Sequence, residues 1–342
     1  MHAVRFHEYG PAEVLRYEEV PDPKPGPGEA LLRVRACAVN HVDIDMRNGT
    51  SRLPITLPHT LGFEIAGDVV AVGEGVTEVA PGDRVSPLFQ IHCRECEWCE
   101  RGEHMHCERI RMLGVQSAGG YAEYVVSPSW ALLTLPDSLS YEDAAATQTT
   151  FGTVWHALVT RAGLEEGQWV LVNAAGSGVG TAGVQVARFL GARVIAAAGA
   201  AFKLERALEH GAEAGVNYAA EDMAARVREL TGGRGVDVVM ECVGGDVLRA
   251  SLEALAKDGK VVTVGGHAGE IVPVDVILLF RNQWSLIGSV RATADELRHV
   301  VGLVAEGTLS PVVHSVFPLA EAADAHRVLE ERSQYGKLIL AP

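Results

Sequence analysis

Residues 169–190 read WVLVNAAGSGVGTAGVQVARFL, and this stretch decides the fold of much of the chain. The apolar run at 169–175 predicts a strand buried on both faces, and 181–190 predicts a helix with one apolar face. Gly176, Gly178 and Gly180 lie in the turn that joins them. A strand, a glycine-rich turn and a helix in this order are typical of a nucleotide-binding unit.

Strands and helices continue to alternate after this unit. The sequence predicts strands in RVIAAA (193–198), VDVVMECVG (236–244) and KVVTVGG (260–266), and a helix in KLERALEHG (203–211). Such alternation predicts a parallel sheet with helices on both faces, an α/β doubly wound fold.

The first 150 residues have a different character. Short apolar runs at 2–6, 31–39, 64–72 and 83–89 are separated by segments rich in proline and glycine. Short strands spaced by turns predict a barrel-like β domain. The chain ends with a predicted helix at 295–307 and a last strand in GKLILAP.

Length and charge restrict the classes of protein that fit. The chain has 342 residues and a formal net charge of −15. Its length favours two domains, and its acidity excludes nucleic acid and anionic membranes as expected partners. No apolar run approaches the roughly 20 residues that cross a bilayer, and the start MHAVRFHEYGP lacks the apolar stretch of a signal peptide. We therefore expect a cytoplasmic protein.

Four of the six cysteines form a metal-binding pattern, Cys93-x2-Cys96-x2-Cys99-x7-Cys107. Four thiolates suit tetrahedral zinc and leave no position open for water, so the pattern predicts one structural zinc ion. Two alternatives remain: four free thiols on a loop, or a histidine in place of one sulfur. The histidines near enough are His92, His104 and His106.

The glycine turn departs from the strict G-x-G-x-x-G pattern, because Ala175 and Ser177 stand at its first two glycine positions. Gly180 fits the third position, and the helix that follows offers unpaired N–H groups to a pyrophosphate. An ordinary tight turn is the alternative. The predicted cofactor-binding residues of this turn are Ala175, Gly176, Ser177, Gly178, Val179 and Gly180.

The end of the next strand bears on which nicotinamide cofactor binds. NAD sites usually place an acidic residue there to hold the ribose hydroxyls. Here the strand runs through alanines to Gly199, the first acid is Glu205, and Lys203 precedes it. An uncharged turn beside a lysine favours the 2′-phosphate of NADPH; the alternative is that Lys203 is only a solvated helix residue.

Three motifs carry a resemblance that extends over the whole chain: GDRVSPLF (82–89), GGYAEYVV (119–126) and AAGSGVGTAGVQVA (174–187). Together with the cysteine pattern they resemble the medium-chain dehydrogenase/reductase superfamily, in particular its quinone oxidoreductase-like and zinc-binding alcohol dehydrogenase-like bacterial members. The resemblance implies a GroES-like catalytic domain at 1–150 and 288–342, with a zinc lobe at 90–110. It also implies a Rossmann NADP-binding domain at 151–287.

The resemblance also implies what is missing. Zinc-dependent alcohol dehydrogenases bind a second, catalytic zinc, and its ligand positions fall here on Asn40, on Phe63 of Gly62-Phe63-Glu64, and near Gln148 or Thr149. Only Glu64 carries a ligating group, and one carboxylate does not make a zinc site. We therefore expect an NADPH-dependent reductase of quinones or α,β-unsaturated carbonyls that has no catalytic zinc.

The resemblance assigns roles to several residues around the substrate. The amide of Asn40 is expected to donate a hydrogen bond to the substrate oxygen, although it could simply cap the backbone. Asp43 is expected to orient its neighbours, and Thr153 to lie against the nicotinamide. Glu64 would form a polar wall or pair with a cation.

Further residues are expected at the cofactor by the same resemblance. His41 and Lys337 correspond to basic residues that face the pyrophosphate, although His41, as a lone histidine, could equally be structural. Tyr218 corresponds to a tyrosine near the 2′-phosphate, and Gly265 and Gly266 end a strand beside the cofactor.

Two other functions fit parts of the sequence. One is a zinc-type alcohol dehydrogenase acting on simple alcohols; the other is a nucleotide-binding protein with little turnover. Relatives commonly pair their nucleotide-domain sheets edge to edge, so a homodimer joined near residues 284–290 is expected.

Overall fold

The computed structural model describes all 342 residues, which form two compact units. Unit 1 contains Met1–Gln148 and Val301–Pro342, and unit 2 contains Thr149–Val300. The first boundary lies beside the expected 150, whereas the chain returns to unit 1 within a helix, later than the expected 288. The α/β class, with one β-rich domain and one domain built on a parallel sheet, is confirmed.

The elements are numbered in chain order. Unit 1 begins with strands β1 (His2–Arg5), β2 (Arg16–Glu19), β3 (Glu29–Val39), β4 (Glu64–Val72), β5 (Arg84–Pro87), β6 (Gln90–Ile91), β7 (Arg111–Met112), β8 (Tyr124–Pro128) and β9 (Leu132–Thr134). Its first helices are α1 (His41–Asn48), α2 (Glu97–Glu100) and α3 (Tyr141–Ala145).

Unit 2 contains strands β10 (Trp169–Val172), β11 (Arg193–Ala198), β12 (Ala214–Asn217), β13 (Val236–Glu241), β14 (Leu255–Thr263) and β15 (Ser285–Gly288). Its helices are α4 (Thr153–Trp155), α5 (Gly178–Phe189), α6 (Ala201–Glu209), α7 (Met223–Leu230), α8 (Gly245–Glu253), α9 (Val276–Arg281) and α10 (Ala294–Ala305), which crosses into unit 1. Unit 1 then closes with β16 (Val313–Pro318), α11 (Ala322–Glu330) and β17 (Lys337–Ala341).

The sheet of unit 1 brings distant parts of the chain side by side. Its order is β16-β17-β3-β4-β5-β9, and β8 also pairs with β3. Buried and accessible residues alternate along the first half of β3, and from Ala36 to Val39 every residue is buried. There the antiparallel neighbours β17 and β4 lie on either side of β3, with Leu338 opposite Val39 and Glu64 opposite Ala38.

The sheet of unit 2 is parallel throughout, in the order β12-β11-β10-β13-β14-β15. Written by position in the chain this is 3-2-1-4-5-6, the order of dinucleotide-binding sheets, whose ligand crevice opens where the order reverses. The reversal lies between β10 and β13, at the end of WVLVNAA. The apolar core around it includes Leu171, Ile195, Val239 and Val261.

None of the helices combines the length and the apolar character that a span across a lipid bilayer requires.

Candidate active site

The four cysteines of the predicted zinc lobe converge in space. The short strands β6 and β7 pair at the base of the lobe, and all four Sγ atoms lie within 4.8 Å of one another. A tetrahedral zinc with Zn–S bonds of about 2.3 Å places its sulfurs about 3.8 Å apart, and Cys93 and Cys99 have Sγ atoms 3.9 Å apart. The four residues therefore fit a structural zinc ion.

The local backbone also favours ionised sulfur. The backbone N–H of Glu95 donates to Cys93 and lowers the pKa of that thiol to about 6. The N–H of Cys99 likewise lowers the pKa of Cys96, whereas burial raises the pKa of Cys99 to about 12. A bound divalent cation lets all four sulfurs ionise together, because a coordinating thiol is deprotonated by its metal.

The nearby histidines form ring contacts beside the lobe. The rings of His92 and His104 stack at 3.9 Å between centroids, and the ring of His106 lies 5.0 Å from that of Trp98. The group of potential ligands that comes together consists of the four cysteines.

The nucleotide turn of unit 2 has the features that a close phosphate contact needs. Ser177 caps α5, and its Oγ accepts from the N–H of Gly180 at 2.9 Å. A Cβ at Gly180 would lie 2.1 Å from the carbonyl oxygen of Ala174, so only glycine fits there. Ala175 is buried, while Gly178 and Val179 open the helix. The close contact between the backbones of Gly180 and Ala174 forms this turn, although the sequence does not follow the strict G-x-G-x-x-G pattern.

Lys203 and Tyr218 both lie beside the turns at the ends of β10 and β11. A Cβ built on Gly176 would lie 2.5 Å from Cδ of Lys203, so the lysine stem crosses directly over this glycine. A Cβ built on Gly199 would lie 3.2 Å from the ring of Tyr218. The structure thus forms two contacting pairs, Gly176 with Lys203 and Gly199 with Tyr218, from residues that the sequence assigned to the cofactor.

A buried carboxylate that sequence reasoning missed shapes the neighbouring loop. Glu241 ends β13, is fully buried, and accepts from the N–H groups of Val243 and Gly244 at 2.8–3.1 Å. Burial raises the pKa of Glu241. Gly265 packs against this loop, since a Cβ there would lie 3.1 Å from the carbonyl oxygen of Cys242. An acid at the end of an apolar strand was the signal in the sequence.

Gly266 and Thr153 occupy other parts of unit 2. Gly266 accepts from the N–H of Gly269 at 3.0 Å in the turn after β14. Thr153 opens the short helix α4 and is half-buried. The preceding Gly152 lies against Leu297 of α10, where a Cβ would come within 2.5 Å of a side-chain methyl group.

In unit 1, Lys337, Glu64 and Asn40 form one polar cluster. The ammonium of Lys337 donates to Asn40 Oδ1 at 2.7 Å, to Glu64 Oε2 at 3.0 Å and to the Val39 carbonyl at 3.1 Å. Asn40 Nδ2 contacts Glu64 Oε2 at 3.4 Å. The Glu64 side chain is 0% exposed and that of Lys337 is 7% exposed. Of the two roles expected for Glu64, the structure shows the pair with a cation.

The resemblance assigned Lys337 to the pyrophosphate. Its three N–H donors all have acceptors within unit 1. His41, the other expected pyrophosphate contact, is the first residue of α1 and is half-buried.

A second polar chain passes through the interior of unit 1. Asp43 Oδ2 accepts from the Asn40 N–H at 2.8 Å and from the Tyr121 hydroxyl at 3.3 Å. The Tyr121 oxygen lies 3.0 Å from His326 Nε2, and His326 Nδ1 lies 3.2 Å from Arg47 NH1. A guanidinium only donates, so His326 accepts at Nδ1 and donates from Nε2 to Tyr121. The hydrogen bonds therefore all run in one direction, with each group donating to the next, from Arg47 through His326 and Tyr121 to Asp43.

These buried groups have displaced ionisation equilibria. Burial raises the pKa of Asp43 to about 7, against hydrogen bonds and the positive charge of Lys337, which lower it. Burial, followed by the charge of Arg47, lowers the pKa of His326 to about 3. Asp43 Oδ1 is buried with no hydrogen-bond partner, which adds to the cost of a charged carboxylate. Asp43 thus joins the Asn40 backbone to the Tyr121 hydroxyl.

At the other positions where alcohol dehydrogenases bind a catalytic zinc, this chain has Phe63 and Gln148, which contact other residues of unit 1. Phe63 is buried, and its ring lies 5.2 Å from that of Phe89. Gln148 is buried, and its Nε2 donates to Ser86 Oγ at 2.6 Å and to the Pro87 carbonyl at 2.9 Å.

The sequence matches two family models, described as Alcohol dehydrogenase GroES-like domain over residues 26–137 and Zinc-binding dehydrogenase over residues 178–306. The chain belongs to the medium-chain dehydrogenase/reductase superfamily. It is an oxidoreductase of this superfamily, and the predicted family is confirmed.

Individual superfamily relatives are similar over their full lengths. The chain is 32% identical to an NAD-dependent alcohol dehydrogenase of Sulfurisphaera tokodaii, with 100% of both covered, and 31% identical to a quinone oxidoreductase of Rattus norvegicus, with 99% and 97% covered. Among solved structures, one named NAD-dependent alcohol dehydrogenase is 42% identical, with a TM-score of 0.96 and 100% of both chains covered. A mycobacterial structure in complex with NADPH is 31% identical, with a TM-score of 0.84 and 100% of both covered.

Proposed function

We propose that the protein is an NADPH-dependent reductase that transfers hydride to a quinone or an α,β-unsaturated carbonyl, with one structural zinc and no metal at the substrate. The observation that carries this proposal is the cluster around Glu64. This carboxylate is the one metal-ligating group at the three positions, and an ammonium and an amide already bond to it. The quinone oxidoreductase names among the relatives also support it.

Without a metal ion to act as a Lewis acid, the proposed reaction depends on a substrate whose own carbonyl group can take up negative charge. NADPH supplies a hydride when bound, and an activated double bond accepts it at the β-carbon. Negative charge then moves to the carbonyl oxygen of the substrate, and a proton from water completes the product. The protein has to orient the substrate and direct polar hydrogens at that oxygen. We assign the second task to the NH2 group of Asn40, which contacts the Ala38 carbonyl at 3.3 Å and Glu64 at 3.4 Å and would give up the longer of these contacts to the substrate oxygen.

The preference for NADPH rests on the charge of unit 2 beside the nucleotide turn. Lys203 crosses over Gly176, and β11 ends at Ala198 and is followed by Gly199, without an acid. The ring of Tyr218 flanks the same end of the strand. A ribose phosphate would meet a cation there and no carboxylate at the strand end. The mycobacterial structure with NADPH supports this choice.

A zinc-type alcohol dehydrogenase is the second candidate, because two of the similar proteins are named NAD-dependent alcohol dehydrogenases. One assay separates the candidates: purified zinc-loaded protein is incubated with NADPH or NADH and a panel of quinones, enones and aldehydes, and with NAD and simple alcohols. We expect oxidation of NADPH by quinones or enones. Turnover restricted to alcohols with NAD would establish the second candidate, and turnover of nothing in the panel would favour a nucleotide-binding protein.

The assay includes a variant that tests the role of Asn40. Asn40→Ala should lower kcat by about a hundredfold to a thousandfold, since one donor to a developing oxyanion contributes about that much. Asn48→Ala is the matched control, because Asn48 lies at the exposed far end of the same helix α1. Equal kcat values for Asn40→Ala and Asn48→Ala would remove Asn40 from the mechanism.

We also propose that two copies of the chain associate through β15. This strand is the edge of the parallel sheet, and exposed apolar side chains lie in and near it. They include Val276, Ile277, Phe280, Leu286 and Val290. Light scattering should give the mass of a dimer for the wild type and of a monomer for Leu286→Asp. A monomeric wild type would refute this proposal.

A further inference from the structure

Three strands of unit 1 place the side chains around Lys337. Lys337 opens β17, Asn40 follows the end of β3, and Glu64 opens β4. The antiparallel register sets Leu338 opposite Val39 and Glu64 opposite Ala38. Residues that are far apart in the sequence are therefore held together by the backbone pairing of the sheet.

Each N–H group of the Lys337 ammonium has one acceptor oxygen beside it. An ammonium has three N–H groups and no acceptor, and three oxygens lie within 3.1 Å of Nζ, from Val39, Asn40 and Glu64. The amide oxygen of Asn40 must therefore point at Lys337. Its NH2 group is left facing the Glu64 carboxylate at 3.4 Å and the Ala38 carbonyl at 3.3 Å.

The charge balance gives Lys337 a second task. Glu64 is fully buried, and a buried carboxylate without a cation is strongly unfavourable. The ammonium lies 3.0 Å from this carboxylate. Lys337 thus neutralises Glu64 and sets the amide orientation of Asn40 at the same time.

We propose that Lys337 is a positioning residue, which acts as the internal counter-ion of Glu64 and fixes the amide of Asn40, and that it is not a contact of the cofactor pyrophosphate. The consequence for turnover rests on the proposed function of Asn40. The consequences for stability and for cofactor affinity do not depend on it.

The test is a double-mutant cycle on the zinc-loaded full chain: wild type, Lys337→Met, Glu64→Gln and the double variant. Lys337→Met leaves the Glu64 charge alone and should lower Tm by about 5–10 °C. In the double variant both charges are gone, so its Tm should lie well above the value that adding the two single losses gives. If Lys337→Met does not fold, recovery of folded protein in the double variant is the same result. Lys24→Met, at an exposed position in the same unit, is the control and should leave Tm unchanged.

Cofactor affinity separates positioning from direct contact. Titration of the same variants with NADPH and NADH, followed by nicotinamide fluorescence, should give dissociation constants within about threefold of the wild type for Lys337→Arg and for the double variant. A loss of an ionic contact with phosphate would instead weaken binding by about tenfold or more. Additive losses in Tm, or a tenfold weaker cofactor affinity in the folded double variant, would overturn the proposal.

Once a substrate is found, kcat and KM of the Lys337 variants provide a third test of the proposal. Lys337→Met should lower kcat by about tenfold or more with KM nearly unchanged, because a misdirected amide affects the transition state rather than substrate binding. Lys337→Arg keeps the charge and should recover part of kcat. If no substrate is found, the proposed function fails while the Tm cycle still decides the role of Lys337.

Discussion

Replacing Asp43 by asparagine should change how the stability of the protein depends on pH. Burial raises the pKa of Asp43 from 3.8 to about 7, so the folded protein holds a proton that the unfolded chain releases near pH 4. Between these values Asp43 binds fewer protons in the unfolded state than in the folded state, so its contribution to stability falls as pH rises, by about 1.4 kcal/mol per pH unit. Above pH 7 the loss is complete.

The size of the effect follows from the shift. About three pH units correspond to about 4 kcal/mol in total, of which about 2.5 kcal/mol falls between pH 5 and pH 8. The asparagine side chain does not titrate, and its oxygen can still accept from the Asn40 N–H and the Tyr121 hydroxyl. Its NH2 group would take the place of Oδ1, which has no hydrogen-bond partner, so the variant carries a constant penalty at every pH.

Urea unfolding followed by circular dichroism at pH 5, 6, 7 and 8 measures the effect. The free energy of unfolding of Asp43→Asn minus that of the wild type should rise by about 2.5 kcal/mol over this range. Groups that titrate alike in both proteins cancel in the difference. A difference that stays constant with pH would show that Lys337 and the hydrogen bonds outweigh burial at Asp43, contrary to the argument above.

Three further outcomes are expected. Because the pKa of His326 is lowered to about 3, its contribution to stability should fall as pH drops below about 6.5, so the free energy of unfolding of His326→Gln minus that of the wild type should rise as pH falls from 6.5 to 5 in the same urea experiment. Mass spectrometry should find about one zinc per chain, lost in Cys99→Ser and retained in Cys242→Ala, whose thiol lies outside the lobe. Lys203→Ala should lower kcat/KM for NADPH by about tenfold and leave that for NADH unchanged, with the exposed Lys257→Ala as the control; an equal loss with both cofactors would contradict a 2′-phosphate contact.

Much of the fold could be read from local pattern. The run RVIAAA (193–198) coincides with β11, and the turn after WVLVNAA leads into α5 as predicted. The short strand β12 (Ala214–Asn217) and the helix α11 (Ala322–Glu330) were not predicted. Both take their place through packing on neighbouring elements, since AGVN has a weak strand preference and AADAHRVLE a short, mixed pattern.

The site divides in the same way. The cysteine lobe and the nucleotide turn are each formed by one short segment of the sequence. The spacing of residues within that segment is therefore enough to predict which of them come together. The chain from Arg47 through His326 and Tyr121 to Asp43 joins residues up to 279 positions apart, and no local pattern indicates it.

By itself the sequence determined the superfamily, the two kinds of domain and the four cysteines that cluster, since periodicity and short-range spacing are properties of consecutive residues. Only the tertiary structure decided which groups Lys337 pairs with. A lysine at the start of a last strand reads equally well as a contact for phosphate, and its partner is chosen by the register of three strands that meet after the chain has folded. The pairing of β17, β3 and β4 places its ammonium on Glu64 and Asn40, because hydrogen bonding between distant strands, and not the local sequence, sets which buried charges meet.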